Sequence, residues 1–544
     1  MNSSRAKNII ILLTELVVIF LMVFGVVPRE ASLFLTGLMI FYFIFAPLKD
    51  SFWVFIASIP LFVALPLTEN FDYMANWRIL LVVLFLVLFF RQGVSINLVK
   101  NSLGKWRLKE NLKHGLIEYL VGVFLIIGAL SLFVADDLWI GAKKIIFLIN
   151  VFLLFLIIRN LINKNKEAVS EILSALKVAV GLTLAIGFTQ LIVVFFIPLH
   201  SFWHFWDRQV ISVFYGQNLS ELLSYSNTWF SYYAYQSPTL RMFSIFPDSH
   251  SFALFCVLSL PFLLAMIFTK HAKKKLYLGY FLLIVCLMAI IFSGSRGAWV
   301  SALGALLIFL FSILLFYSPT IRSKTDFFIP KIIGNWKKKI QLIFGCLIIF
   351  FLLFPIASGI LLLSERTRTG MAPKMETISF FERARSIADF AETSVRGRLE
   401  IWQRTIDSIA ARPVLGVGIG NYPLVLNEEM SSVKRGASAH NLYLDVAAEM
   451  GIFALLVLLA IFWQIIKKLW LIFQDKKEIK DAYLQSWASF FFLALIWVLG
   501  YSLFDVVLLN DKVLLFFMAN LGLLYAAYAK KSSGGLDQSS NLQR

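Results

Sequence analysis

"NLYLDVAAEMGIFALLVLLAIFWQII", residues 441–466, opens with Asn441 and continues as an apolar run whose only charged residues are Asp445 and Glu449 near its start. About 18 to 20 such residues in a helix cover the roughly 30 Å hydrocarbon core of a bilayer. In that core every backbone N–H and C=O needs an internal partner, so a run of this kind reads as a transmembrane helix. Comparable runs recur at 8–27, 31–48, 51–67, 77–90, 115–135, 141–158, 172–197, 249–269, 275–293, 297–317, 340–363, 484–504 and 512–529. The composition agrees: 59% hydrophobic, 16% aromatic and 15% charged residues lie outside the range of soluble domains. The expectation is an all-α polytopic membrane protein with about fourteen transmembrane helices of the length a bilayer requires. It forms a single membrane domain over residues 1–544, with a tail at 530–544. The first run lacks a small-residue cleavage site and leads straight into the second, so it reads as a retained anchor. Cys256, Cys286 and Cys346 fall inside spans, where a lone thiol acts as a small hydrophobe. They point to neither disulfides nor a metal.

The net charge of +18 alternates with the spans. Basic connections follow the fourth span (Arg91 to Lys113), the sixth (Arg159, Lys164, Lys166), the eighth (Lys270 to Lys275), the tenth (Arg322 to Lys339) and the twelfth (Lys467 to Lys480). The positive-inside rule places these connections, the tail and both termini in the cytoplasm. The partner of this charge is the lipid bilayer, not nucleic acid. The other connections then face outward, and two of them are long. Residues 198–248 form an aromatic extracytoplasmic loop, with "HSFWHFWDRQ" at 200–209 and "NTWFSYYAYQ" at 227–236. Its readings are an interfacial aromatic belt, or a surface for stacking on sugar rings or admitting a lipid.

Residues 364–440, between the eleventh and twelfth spans, break the charge pattern: Arg366, Arg368, Arg383, Arg385, Arg396, Arg398, Arg404, Arg412 and Arg435 face outward. Arginine presents a planar fork of donors that matches phosphate and carboxylate oxygens. The bland alternative is exposed ion pairs with Glu400, Asp407 and the other acids of the loop, which contribute little. Within the loop, "RLEIWQRTIDSIAARP" places Leu399, Trp402, Ile406 and Ile409 on one face of an amphipathic helix that Pro413 ends. It carries Arg398 in its first turn. "GVGIGNY", 416–422, has no strand before it and no βαβ unit around it, so it reads as a tight turn and no cofactor is expected.

Other outward points carry polar chemistry. "SGSRGAW", 293–299, sets Arg296 in a very short connection between apolar helices, where an ionisable group marks a functional site. "LRMFSIFPDSHSF", 240–252, brings Arg241, Asp248 and His250 to the same side, with helix capping as the plain role of Asp248. His440 stands at the mouth of the twelfth span, beside Ser438 and Asn441, either of which can cap that helix. The field of a helix N-terminus opposes charge on the imidazole, and a neutral imidazole can accept a proton.

Taken in order and spacing, "SGSRGAW", "RGRLEIWQRTIDSIAARPVLGVGIGNY" and "ASAHNLYLDVAAEMGIFALL" resemble the O-antigen ligase/polymerase superfamily of bacterial membrane glycosyltransferases. The resemblance covers roughly residues 238–465. It implies a GT-C-like membrane fold in the bacterial cytoplasmic (inner) membrane, with a helical extracytoplasmic loop. It implies an undecaprenyl-diphosphate-linked glycan donor, a glycan, lipid or protein hydroxyl as acceptor, and no metal. It assigns His440 as the base and Arg296, Arg398 and Arg241 as diphosphate ligands, with Asn441, Trp402, Asp248 and His250 as possible supporting residues. At Asp248 and His250, "FPDSHSF" departs from the Pro-Asn pair of many relatives. An O-antigen polymerase or a protein O-oligosaccharyltransferase would share this chemistry. A metal-dependent membrane glycosyltransferase would resemble its relatives in an acidic pair in the first outward loop, where "VVPREAS" offers only Glu30. A flippase or transporter usually shows polar groups at mid-membrane, where Glu15 is the clearest isolated charge.

Overall fold

A computed structural model describes residues 3–68, 74–92, 108–165, 168–217, 229–233, 236–269, 273–317, 333–369, 393–426, 438–474 and 482–534. Helices dominate. Among the described residues, eight helices are long and apolar enough to cross a membrane: Arg5–Val23, Leu116–Val134, Leu138–Ile162, Ala168–Phe196, Ser249–Phe268, Lys338–Leu361, Leu442–Trp470 and Ala482–Tyr501. Shorter apolar helices run over Ala31–Phe45, Leu276–Phe292 and Arg296–Phe311. The architecture is thus that of an all-α polytopic membrane protein. Its most buried member is Ser249–Phe268, whose packing partners include Ala482–Tyr501 and Lys273–Phe292. That helix is apolar on nearly every side, as expected of a helix surrounded by other helices.

The segment expected as a span at 51–67 differs. Its helix covers only Leu48–Ala57, a single 3-10 turn follows at Ile59–Leu61, and Ala64–Leu65 pairs antiparallel with Met74–Ala75. Pro60 cannot donate to a continuing helix. The carbonyls freed there would be costly in an apolar bundle. Lys512 meets them, its Nζ donating to Pro60 O at 3.2 Å and Phe62 O at 3.1 Å. The hydroxyl of Ser58 in turn donates to the fully buried Glu15, and the Lys512 charge also reaches that carboxyl. The isolated charge at Glu15 therefore has a structural task, bracing an irregular segment.

The aromatic loop also differs from a surface belt. It contains a short helix at Leu199–Phe205, a π-helical turn at Trp206–Ile211 and a hairpin of Phe230–Tyr233 with Gln236–Leu240. Trp229 is fully buried, stacks on Phe243 with centroids 5.0 Å apart, and donates from Nε1 to Pro247 O at 2.9 Å. Part of the loop is therefore core that anchors the chain just before Asp248.

The span at 441–466 lies in a helix, Leu442–Gln474, that breaks at Gly451 (φ 84°, ψ 173°). The "GVGIGNY" turn fills the break. Val417 N–H donates to Ala448 O at 2.9 Å and Ile452 N–H to Pro413 O at 2.8 Å. A Cβ at Gly451 would lie 2.0 Å from Val414 O, so only glycine fits both the conformation and the contact. Asn421 fastens the other side of the turn, accepting from Asp137 N–H at 2.8 Å. The turn is thus a structural wedge between two helix ends. Of the large loop expected at 364–440, residues 370–392 and 427–437 lie outside the described residues, as does 535–544 of the tail.

Candidate active site at one end of the bundle

The starts of Ser249–Phe268, Arg296–Tyr317 and Leu442–Gln474 meet the connection after Ala482–Tyr501 at one end of the bundle. Asp248 caps the first of these helices: its carboxylate accepts from Ser251 N–H and from the Ser251 hydroxyl, each at 2.7 Å. Burial pushes this carboxyl up, to about 6, against the lowering effect of the two Ser251 bonds. In the first turn, His250 Nδ1 lies 2.9 Å from Ser295 Oγ, which lies 2.5 Å from the Tyr501 hydroxyl. The serine before Arg296 thus ties three helices together through one imidazole.

The carboxylate of Asp505 sits between two histidines. His250 Nδ1 is 3.9 Å from one of its oxygens, and His440 Nδ1 is 3.8 Å from the other. Both distances exceed a hydrogen bond, and burial pushes the His250 imidazole down, to about 4, so that ring faces the carboxylate uncharged at neutral pH. Burial alone would raise the Asp505 carboxyl. The facing His440, then His250 and Arg398, outweigh it and hold the group down, at about 2. Asp505 therefore stays ionised at neutral pH, and its charge favours any imidazolium formed beside it.

His440 has an unusual backbone. Its φ is +47°, in the left-handed region, which a non-glycine residue adopts at a cost of about 1–3 kcal/mol. The helix cap is Asn441, whose Oδ1 accepts from Tyr443 N–H at 3.0 Å and Leu444 N–H at 3.2 Å. The His440 ring is 43% exposed, yet its Nδ1 is buried without a hydrogen-bond partner among the described residues. One edge of the imidazole therefore faces Asp505 while the opposite edge is open. Trp402 reaches this segment from the helix Thr393–Ala411, donating from Nε1 to Ala439 O at 2.9 Å.

Arginines surround the same point. Arg241 lies along Gly294, where an added Cβ would be 3.1 Å from its Cγ, and its strand end joins the 293–296 turn through Met242 N–H donating to Phe292 O at 2.8 Å. Arg398 stands one helical turn before Trp402. Arg241, Arg398, His440 and Asp505 are all within electrostatic reach of His250. Arg296 is half-buried at the first position of its helix, next to Ser295. Among the other arginines expected in the loop, Arg404 pairs with Glu400 at 2.8 Å with both side chains largely exposed, the kind of pair that contributes little. Arg366 and Arg368 belong to the helix Phe354–Thr369, and Arg383, Arg385 and Arg435 lie outside the described residues.

The arrangement gathers Arg241, Arg398, His250, His440 and Asp248 around a residue that the sequence left in the background. Asp505 stands in a short acidic connection, and an isolated aspartate there looks like any helix-end residue. Tyr501 and Ser295 were likewise illegible as partners, because their hydroxyls come from helices 206 residues apart in sequence. The site can hold an anion between its arginines and accept a proton at the open edge of His440.

Fold and site together define a polytopic α-helical membrane protein with a polar, cation-rich cluster where its helices begin. Residues 280–459, about a third of the chain, match the family model Wzy_C, O-antigen ligase. The matched stretch contains Ser295, Arg296, Arg398, Trp402 and His440, whereas Arg241, His250 and Asp505 come from outside it. No curated protein matches the chain.

Proposed function

We propose that the protein is a membrane glycosyltransferase that moves a glycan from an undecaprenyl-diphosphate-linked donor to an acceptor hydroxyl at the outer face of the bacterial cytoplasmic membrane. The observation that carries this reading is the pairing of an open-edged His440 with ionised Asp505, with Arg241 and Arg398 alongside. Outside the cytoplasm there is no pool of nucleotide sugar, so the donor must bring its own leaving group, and a lipid diphosphate does. The acceptor O–H bond breaks as His440 takes the proton, and the oxygen attacks the anomeric carbon. The bond from that carbon to the diphosphate oxygen breaks with its electron pair. Arg398, Arg241 and Arg296 stabilise the charge that develops there, and Asp505 stabilises the imidazolium. A single displacement inverts the anomeric configuration.

The test is a purified-enzyme assay with a lipid-diphosphate glycan and a panel of acceptors: a lipid A core, a growing glycan, and a protein hydroxyl. The acceptor that is modified separates ligase, polymerase and protein glycosylation. His440→Ala is expected to lower turnover about 10²- to 10⁴-fold with donor binding retained. Near-normal turnover would remove His440 as the base, and a retained anomeric configuration would rule out single displacement. The orientation follows from the alternation of basic loops: a cysteine at Asp407 is expected to label from outside, and one at Lys338 only once the cytoplasmic side is opened. The reverse pattern would place the site among cytoplasmic nucleotide sugars and end this reading.

A further inference from the structure

The strained backbone at His440 needs something to hold it. A left-handed residue ahead of a helix cap relaxes readily unless its neighbours are fixed. Here they are fixed on both sides. The preceding residue, Ala439, is fully buried and both of its backbone polar groups are taken by side chains. Its N–H donates to Asp445 Oδ1 at 3.0 Å, and its C=O accepts from Trp402 Nε1 at 2.9 Å. After the histidine, Asn441 caps the helix and Leu442 N–H donates to Ser502 O at 2.8 Å. Asp445 is itself 3% exposed and lies within the reach of the Lys144 charge, while Lys144 pairs at 2.5 Å with Glu449 one turn further along the same helix. Trp402 comes from a different element, one turn beyond Arg398.

We infer that Trp402 and Asp445 are positioning residues that clamp the Ala439 peptide groups and thereby hold His440 left-handed, with its open imidazole edge aimed at the acceptor. The inference rests on His440 being the base. Because Trp402 and Arg398 share a helix, movement of that helix shifts the diphosphate ligand and the aim of the base together. A group misplaced by about 1 Å costs on the order of 10²-fold in rate, so two bonds at one peptide suffice to matter.

The experiment uses the full chain in detergent, with kcat, the KM for the lipid-linked donor and thermal unfolding measured on each variant. Trp402→Phe keeps an aromatic ring, smaller than the indole, and removes the N–H donor; kcat is expected to fall roughly tenfold to a hundredfold with KM for the donor unchanged. Asp445→Ala is expected to behave alike. Asp445→Asn, whose amide oxygen still accepts from Ala439 N–H, is expected to stay within about threefold, a rescue that a role resting on the carboxylate charge would not give. The Trp402→Phe change is then repeated on top of His440→Ala, where its cost is expected to shrink below about twofold because the group it positions is gone. An undiminished cost in that background overturns the inference while leaving the base assignment standing. Kcat within twofold of the parent in both Trp402→Phe and Asp445→Ala also overturns it. High activity in His440→Ala alone overturns the base assignment instead. Should Asp445→Ala fail to fold, Trp402→Phe and Asp445→Asn carry the test.

Discussion

The mouths of two helices, Ser249–Phe268 and Leu442–Gln474, face each other across Asp505, and each offers it a histidine Nδ1, at 3.9 and 3.8 Å. At the first mouth Asp248 caps the helix from an extended conformation and His250 follows inside the first turn. Its ring is 16% exposed and bound to Ser295. At the second mouth the cap is Asn441 and the histidine comes before it, in a left-handed conformation, with its ring 43% exposed. The same side chain beside the same carboxylate is thus built into the bundle at one mouth and left open at the other. What differs is the position relative to the cap. A residue inside the first turn points into neighbouring helices, whereas one ahead of the cap can be turned outward if the chain around it bears the strain.

The sharpest way to break this comparison is to remove what the two mouths share. Asp505→Asn takes the charge from both histidines, and turnover is expected to fall by about 10²-fold or more, toward the loss from removing the base itself. Steady-state kinetics check this, and a loss below about threefold would detach Asp505 from the chemistry. Next in size, Arg398→Lys keeps the charge and loses the fork. At about 1.5–3 kcal/mol for a charged hydrogen bond, transfer is expected to slow roughly tenfold to a hundredfold. Equal rates in the arginine and lysine forms would remove the diphosphate role from this residue. His250→Ala sharpens the comparison from the other side. It unties Ser295 and leaves His440 in place, so the expected loss is less than about tenfold and should be accompanied by a lower unfolding temperature. A loss as large as that of His440→Ala would mean that the buried histidine carries the chemistry.

The smallest effect belongs to the capping carboxyl. Burial raises the Asp248 carboxyl to about 6, so its contribution to stability is fully present below the unfolded pKa near 3.9 and is lost as pH rises through about 6. Asp248→Asn keeps the cap and removes that loss. Its unfolding temperature is expected to exceed the parent's at pH 8 and to match it at pH 4, in a thermal scan at both pH values. Asp505 has the opposite sign: its carboxyl is held low, so its contribution to stability is fully present above the unfolded carboxylate pKa near 3.9 and is lost as pH falls through about 2. A pH profile of Asp505→Asn that is flat relative to the parent above pH 5 and convergent with it below would mark this contribution.

The sequence alone determined the class of the molecule, because hydrophobic length is a local quantity: a run such as 249–268 is apolar whatever packs around it. It also brought Arg241, Asp248, His250, Arg296, Arg398 and His440 into one set, since alternating charge assigns the connections to sides without any knowledge of packing. It misjudged 51–67, where Pro60 and the carbonyls answered by Lys512 turn an apolar run into an irregular buried segment. Apolar composition does not reveal who satisfies the backbone. Trp229 was hidden for a similar reason, as an aromatic loop residue is the same letter whether it lies in an interface or stacks on Phe243. Only the tertiary structure decided that Asp505 stands between two histidines, that Ser295 meets Tyr501, and that Trp402 and Asp445 grip the peptide before His440. Apart from the Asp445 contact, which spans six positions, those relations are distances of a few ångströms between residues tens to hundreds of positions apart, and they exist only once the helix ends have converged.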